Sequence, residues 1–183
     1  MVYVALLRGI NVGGNSLIPM SRLKAIFEQL PVDSVQTYIN SGNVVFRSRS
    51  SDSSGLTKKI EAAITNDTGR PVSVLLKNRG EMKALVAAIP KSWVNDGDMK
   101  CDVMFLWADV DRPSTVKRFP ANSEIEDVKY VKGAVLWRVD REHQSKSRMT
   151  KIVGTDLYKK ITIRNPNTVR KLYELMAKAD SRA

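Results

Sequence analysis

Val35-Gln36-Thr37-Tyr38-Ile39-Asn40-Ser41-Gly42-Asn43-Val44-Val45-Phe46-Arg47 is the stretch on which the fold turns. Val35 to Ile39 and Val44 to Arg47 are rich in β-branched and aromatic residues and read as strands. Between them, Asn40-Ser41-Gly42-Asn43 offers glycine and asparagine, which can supply the positive φ angles of a tight hairpin. Towards the N-terminus, Val2 to Leu7 is a short run of β-formers that ends in a glycine-containing loop from Arg8 to Ile18. Pro19 suits a first helical position, Met20, Leu23, Ile26, Phe27 and Leu30 recur at helical spacing, and Pro31 stops the pattern. On the other side, Leu56, Ile60, Ala63 and Ile64 mark a second helix closed by Gly69, and Val72 to Leu76 follow as a strand. The resulting order, β-α-β-β-α-β, is that of the ferredoxin-like fold, with two helices over one face of a four-stranded antiparallel sheet.

The order then repeats. Met82, Leu85, Val86 and Ile89 mark a bridging helix that leads into the polar stretch Asn95 to Lys100. Beyond it the spacing predicts a strand Val103 to Trp107, a short helix from Pro113 to Phe119, and a hairpin of Val128 to Val131 and Ala134 to Val139 about the turn Lys132-Gly133. A helix between Ser147 and Lys160 and a strand Ile161 to Arg164 complete the second copy, and Asn165 and Pro166 open a last helix with Val169, Leu172, Tyr173 and Met176 on its apolar face. The sequence thus predicts an α+β protein of two tandem ferredoxin-like (βαββαβ) lobes with antiparallel sheets, plus a bridging helix and a C-terminal helix. The first lobe is placed at 1–78, the bridging helix and linker at 79–100, and the second lobe with its helix at 101–183.

The 183 residues, 43% of them hydrophobic, are enough to bury a core. The apolar runs Val2 to Leu7 and Val103 to Ala108 are too short to cross a bilayer, and the chain reads as a cytoplasmic protein with no membrane partner. One cysteine, Cys101, and one histidine, His143, leave too few soft ligands for a structural zinc site or an internal disulfide. The net charge of +11 biases partners towards anions. Residues 1 to 78 hold nine basic and five acidic residues, 79 to 140 ten of each, and 141 to 183 eleven and four, so the excess lies in the first lobe and the tail.

Three stretches stand out together: Leu6-Leu7-Arg8-Gly9-Ile10-Asn11-Val12-Gly13-Gly14-Asn15, Tyr38-Ile39-Asn40-Ser41-Gly42-Asn43-Val44-Val45-Phe46, and Thr162-Ile163-Arg164-Asn165-Pro166-Asn167-Thr168-Val169. In this order they resemble the bacterial domain-of-unknown-function family 1697, and the resemblance spans nearly the whole chain. It implies a small cytosolic protein with two ferredoxin-like lobes and no established activity. The family pattern often carries an aromatic residue after the Arg-Asn pair, where this chain has Pro166, so a stacking role there is not expected.

Gly9 to Ser16 falls one residue short of a P-loop, because Asn15 stands where the phosphate-binding lysine belongs. A weaker phosphate site survives: glycines let backbone amides form an anion-binding concavity, and Arg8 can add a charge-assisted hydrogen bond. The competing account is structural, with Gly9, Gly13 and Gly14 permitting positive φ while Asn11 and Asn15 bond their own backbone. Asn40, Ser41, Asn43, Arg164, Asn165 and Asn167 are suited to hydrogen bonding rather than proton transfer, although hairpin chemistry accounts for Asn40 to Asn43 and helix capping for Asn165.

The reading that results is a phosphate-bearing small molecule held by Arg8, Asn11, Gly13, Gly14, Asn15, Asn40, Ser41, Asn43, Arg164 and Asn165. An RNA-binding protein is the second reading, with Tyr3 and Phe46 on an open sheet face and a basic surround. A hydrolase or transferase at the same loop is the third. No cofactor or metal is expected. His143 sits in the polar run Asp140 to Lys146 with no nucleophile to pair with it, Asp109 and Asp111 read as turn and capping residues, and Trp93, Trp107 and Trp137 as core or interface residues. No residue pattern sets an oligomeric state.

Overall fold

The computed structural model describes residues 1–10 and 18–181. Asn11, Gly13, Gly14 and Asn15 of the expected anion site lie outside the described residues. The chain divides into two compact units, 1–82 with 171–183, and 83–170.

The first unit is built from β1 (Val2–Leu7), α1 (Met20–Glu28), β2 (Val32–Tyr38), β3 (Asn43–Ser48), α2 (Ser53–Thr68) and β4 (Val74–Asn78), and α3 (Arg79–Ala88) begins at its end. The sheet is antiparallel in the order β2-β3-β1-β4. Tyr3, Ala5 and Leu7 alternate onto one face of β1, where they are buried in a core with Leu23, Ile26 and Phe27 of α1 and Leu56, Ile60 and Ile64 of α2. Val2, Val4 and Leu6, which point the other way, are buried too. The helix ends follow capping chemistry. The Asp52 carboxylate accepts the Gly55 N–H at 2.9 Å, and Gly69 closes α2 in the left-handed conformation at φ +71°. A reciprocal capping box opens α3: Asn78 Oδ1 accepts from the Glu81 N–H, and Glu81 Oε2 accepts from the Asn78 N–H.

The second unit contains β5 (Met99–Leu106), β6 (Glu126–Val131), β7 (Ala134–Asp140) and β8 (Ile161–Arg164), and α4 (Pro166–Asp180) follows. Its antiparallel sheet has the order β6-β7-β5-β8, the same as the first when strands are counted within each unit. Here the helices shrink. The segment expected to be a short helix is a 3-10 turn at Pro113–Arg118, and the helix expected between Ser147 and Lys160 is replaced by 3-10 turns at Met149–Ile152 and Tyr158–Lys160. The residues explain the difference. Thr150, Ile152, Val153 and Thr155 are β-branched and lose side-chain freedom in a helix, and Gly154, at φ +87°, takes a conformation no α-helix contains.

The two units repeat the same main-chain bonds although their residues differ. The Leu7 N–H donates to the Gly42 carbonyl and the Arg8 N–H to the Ser73 carbonyl, both at 2.9 Å. In the second unit the Leu106 N–H donates to the Gly133 carbonyl at 2.9 Å and the Trp107 N–H to the Lys160 carbonyl at 3.2 Å. Each first strand is thus fastened at its end to its hairpin turn and to the approach of its last strand. Among the described residues no helix is long and apolar enough to cross a membrane.

Candidate functional site

Two of the three polar motifs meet in the first unit. The Leu7–Gly42 bond joins the base of the Gly9 loop to the β2–β3 turn, and Ile10 packs on Gly42. Gly9 and Gly42 hold φ angles of +71° and +72°, which glycine adopts without cost. The other positive φ in this turn falls on Ile39, at +46°, and not on an asparagine. Asn43 cannot serve there because it is already the first residue of β3, paired with Tyr38, and its buried amide donates to the Tyr38 carbonyl and to Ser41 Oγ at 3.0 Å each. A β-branched residue in that region is strained, and Ile39 is also half exposed to solvent. Arg8 is half-buried and Asn40 exposed at this junction.

The third motif belongs to the second unit. Arg164 is buried, and its Nη1 donates to Thr162 Oγ1 at 3.1 Å and to the Ile163 carbonyl at 2.7 Å. Burial lowers its guanidinium to about 10, which leaves it a cation at neutral pH. Asn165 caps α4, its Oδ1 accepting the Thr168 N–H at 2.8 Å, and Asn167 donates to the Asn95 carbonyl.

The aromatic residues of the RNA reading are placed differently from expectation. Tyr3 and Phe46 are cross-strand partners that stack at 5.9 Å inside the helix-covered core, with Phe27 against Phe46 at 5.4 Å. A phenylalanine at this register faces the helices, so neither ring is available to a base. Asp111 does not cap the segment at Pro113 as read: its Oδ1 accepts from the Tyr130 hydroxyl and the Gly133 N–H of the β6–β7 hairpin, while Asp109 pairs with Lys160. Cys101 is buried, and burial pushes its thiol up to about 11.

The second unit holds a feature that sequence reading missed. Lys100, Asp102 and Met104 alternate onto one face of β5, and Asp102 pairs across the sheet with Trp137 of β7. Burial raises the Asp102 carboxyl to about 6, only partly offset by the charges of Lys100 and Arg141. Beside it, Trp137 Nε1 and Ser147 Oγ donate to Glu126 Oε1 at 2.9 and 2.5 Å. Burial would raise the Glu126 carboxyl, but these bonds and the Asn122 and Arg148 N–H groups outweigh it and hold the group below its ordinary value. The available signal was Lys100-Cys101-Asp102: β5 begins at Met99, and two charges at alternate positions of a strand share a face.

Two antiparallel sheets of one strand order, with helices between and after them, define a two-unit α+β protein. Residues 1–137 match the protein family of unknown function DUF1697, and the chain belongs to that family. A solved structure, that of a conserved bacterial protein from Streptococcus pneumoniae, is similar: the two are 27% identical, the likeness covers 96% of this chain and 98% of that one, and the TM-score is 0.80. No curated protein matches.

Proposed function

We infer that the protein is a cytoplasmic binder of a small phosphate-bearing ligand, of the nucleotide or phosphorylated-metabolite kind, carried on two ferredoxin-like lobes. The observation that carries this reading is the Leu7–Gly42 bond, which fastens the base of the glycine-rich loop, with Arg8 and Gly9, beside the Asn40 to Asn43 turn. Loops held in this way by a rigid sheet are where binding residues concentrate. Strain at Ile39 in the same turn fits a site whose backbone is set by use rather than by ease. In this reading Arg8 supplies the charge, the exposed Asn40 and the half-buried Ser41 the hydrogen bonds, and Asn43 the frame, all within the first unit; Arg164 and Asn165 belong to the second unit and are left out of the site. The net charge of +11 favours an anion reaching the surface.

A thermal-shift series with ATP, GTP, glucose 6-phosphate, inorganic phosphate and a short single-stranded RNA tests it. Stabilisation by a nucleotide or sugar phosphate that Arg8→Ala abolishes is the expected result. Stabilisation by RNA alone, falling steeply with salt, would move the assignment to nucleic acid. If no compound raises the midpoint, or Arg8→Ala leaves the response intact, the reading fails.

A further inference from the structure

The 3-10 turns that replace a helix in the second unit cover its sheet incompletely, and a cavity of about 200 Å³ remains between them and strands β5, β7 and β8. Its floor is apolar, formed by Met104, Trp137 and Ile163, with Met149 in the wall. Val153, 62% exposed, stands at the edge as one of the few large apolar side chains left in water.

The rest of the lining is mixed, with Lys100, Gln144, Ser147, Thr150 and Tyr158, and Asp102 is its one carboxylate. Among the described residues no hydrogen bond or ion pair reaches this carboxylate, and none of their buried side-chain oxygens lacks a partner, so the Asp102 oxygens open into the cavity. Lys100, on the same face of β5, does not close on Asp102. Its ammonium instead lies over the Trp137 ring, 5.7 Å from the centroid. One indole is therefore flanked by a carboxylate and an ammonium that form no ion pair with each other, although the Lys100 and Arg141 charges act on the carboxyl from a distance.

The arrangement discriminates between ligand classes. A purely apolar molecule would strip water from Asp102 and give nothing back. A simple anion would meet that carboxylate, and a simple cation would leave Lys100 unanswered. A zwitterion with an apolar body satisfies all three parts. Size narrows the choice: at about 30 Å³ per water the cavity holds roughly seven waters, well under the pockets of drug-sized ligands. We propose that this cavity is a binding site for a small apolar α-amino acid, its ammonium on Asp102, its carboxylate on Lys100 and its side chain against Met104, Trp137 and Ile163. The cavity belongs to the second unit and the loop of the anion reading to the first, so the two readings stand or fall independently.

Calorimetric titration of the intact protein with L-leucine, isoamylamine and isovalerate tests the proposal, since the last two carry one of the two charges each. Leucine is expected to bind in the millimolar range or better and to change tryptophan fluorescence by shifting Lys100 from the Trp137 face. Asp102→Asn and Lys100→Met, each with an unchanged far-UV spectrum, should weaken leucine by about tenfold or more, the scale of one lost charged contact. Isoamylamine and isovalerate should bind more weakly than leucine. The proposal is overturned if leucine does not bind at millimolar concentration, if isoamylamine or isovalerate binds as well as leucine, or if Asp102→Asn leaves leucine affinity unchanged.

Discussion

Gly42 lies so close beneath Ile10 that a methyl group on its Cα would sit 2.6 Å from Cδ1 and 2.7 Å from Cγ1 of that side chain, and 2.9 Å from Leu7 Cβ. Gly42→Ala thus suffers twice, from the positive φ and from the collision, and is expected to lose about 2–4 kcal/mol. Gly9→Ala shares the φ angle, but its added carbon meets nothing within 4 Å among the described residues, so about 1 kcal/mol is expected. Urea denaturation of both variants measures the difference. Equal losses would mean that the contact with Ile10 contributes nothing.

Asp102 gives stability an unusual pH dependence. Below the ordinary carboxylate value of 3.8 both folded and unfolded states hold the proton; between 3.8 and about 6 the unfolded state releases it first, so stability falls as pH rises. Above about 6 the penalty is constant. Asp102→Asn should remove this slope and gain up to about 3 kcal/mol at neutral pH relative to its effect in acid. Denaturation at a series of pH values checks it, and an unchanged slope between pH 4 and 6 would show that the carboxyl is not desolvated.

Glu126 works with the opposite sign. Its carboxyl is held below the ordinary 4.5, so its contribution is complete above that value and is lost as the pH falls through the folded group's own pKa. Glu126→Gln keeps the shape but replaces one carboxylate oxygen by an NH2 group, which then faces donors on either side: Trp137 Nε1 and Ser147 Oγ at Oε1, or the Asn122 and Arg148 N–H groups at Oε2. A loss of about 2–3 kcal/mol at neutral pH, shrinking below pH 4.5, is expected, with a change in the near-ultraviolet tryptophan signal.

Cys101 is fully buried and its thiol is raised to about 11, by burial first and then by the Asp102 charge. The native protein should not react with a thiol reagent at pH 8, and the rate should rise to that of a free thiol in denaturant. Fast labelling of the native state would show that β5 opens without global unfolding.

The sequence made the first unit legible because each element there has local chemistry that agrees with its place: Pro19 before α1, Asp52 and Gly69 around α2, Gly42 in the turn. The second unit was half legible. Its strands and the Lys132-Gly133 turn carry the same signals, but Met149, Ile152 and Leu157 can be read as a helical stripe, and only Gly154 and the β-branched residues around it say otherwise. Ile39 at positive φ was not legible, since local preference places asparagine or glycine there and the pairing of Asn43 with Tyr38 overrides it. Asp102 escaped notice because a carboxylate beside a polar linker looks like surface until the strand is known to start at Met99. Of the expected site, the meeting of the first two motifs follows from strand order, whereas the burial of Asn43 and Arg164 does not.

Strand β2 ends its sheet, and its pairing with β3 slips between Asp33 and Gln36, where Ser34 takes a φ of +55°. Asp33 on one side of the slip is held by Arg47 at 2.8 Å. A straight border strand offers a continuous row of amides and carbonyls onto which a second copy can be added, and from there a third. The kink interrupts that row, and the charged pair marks its edge. Deleting Ser34 is expected to restore an even ladder, and a kink of this kind is one way a sheet border is kept from recruiting a further strand.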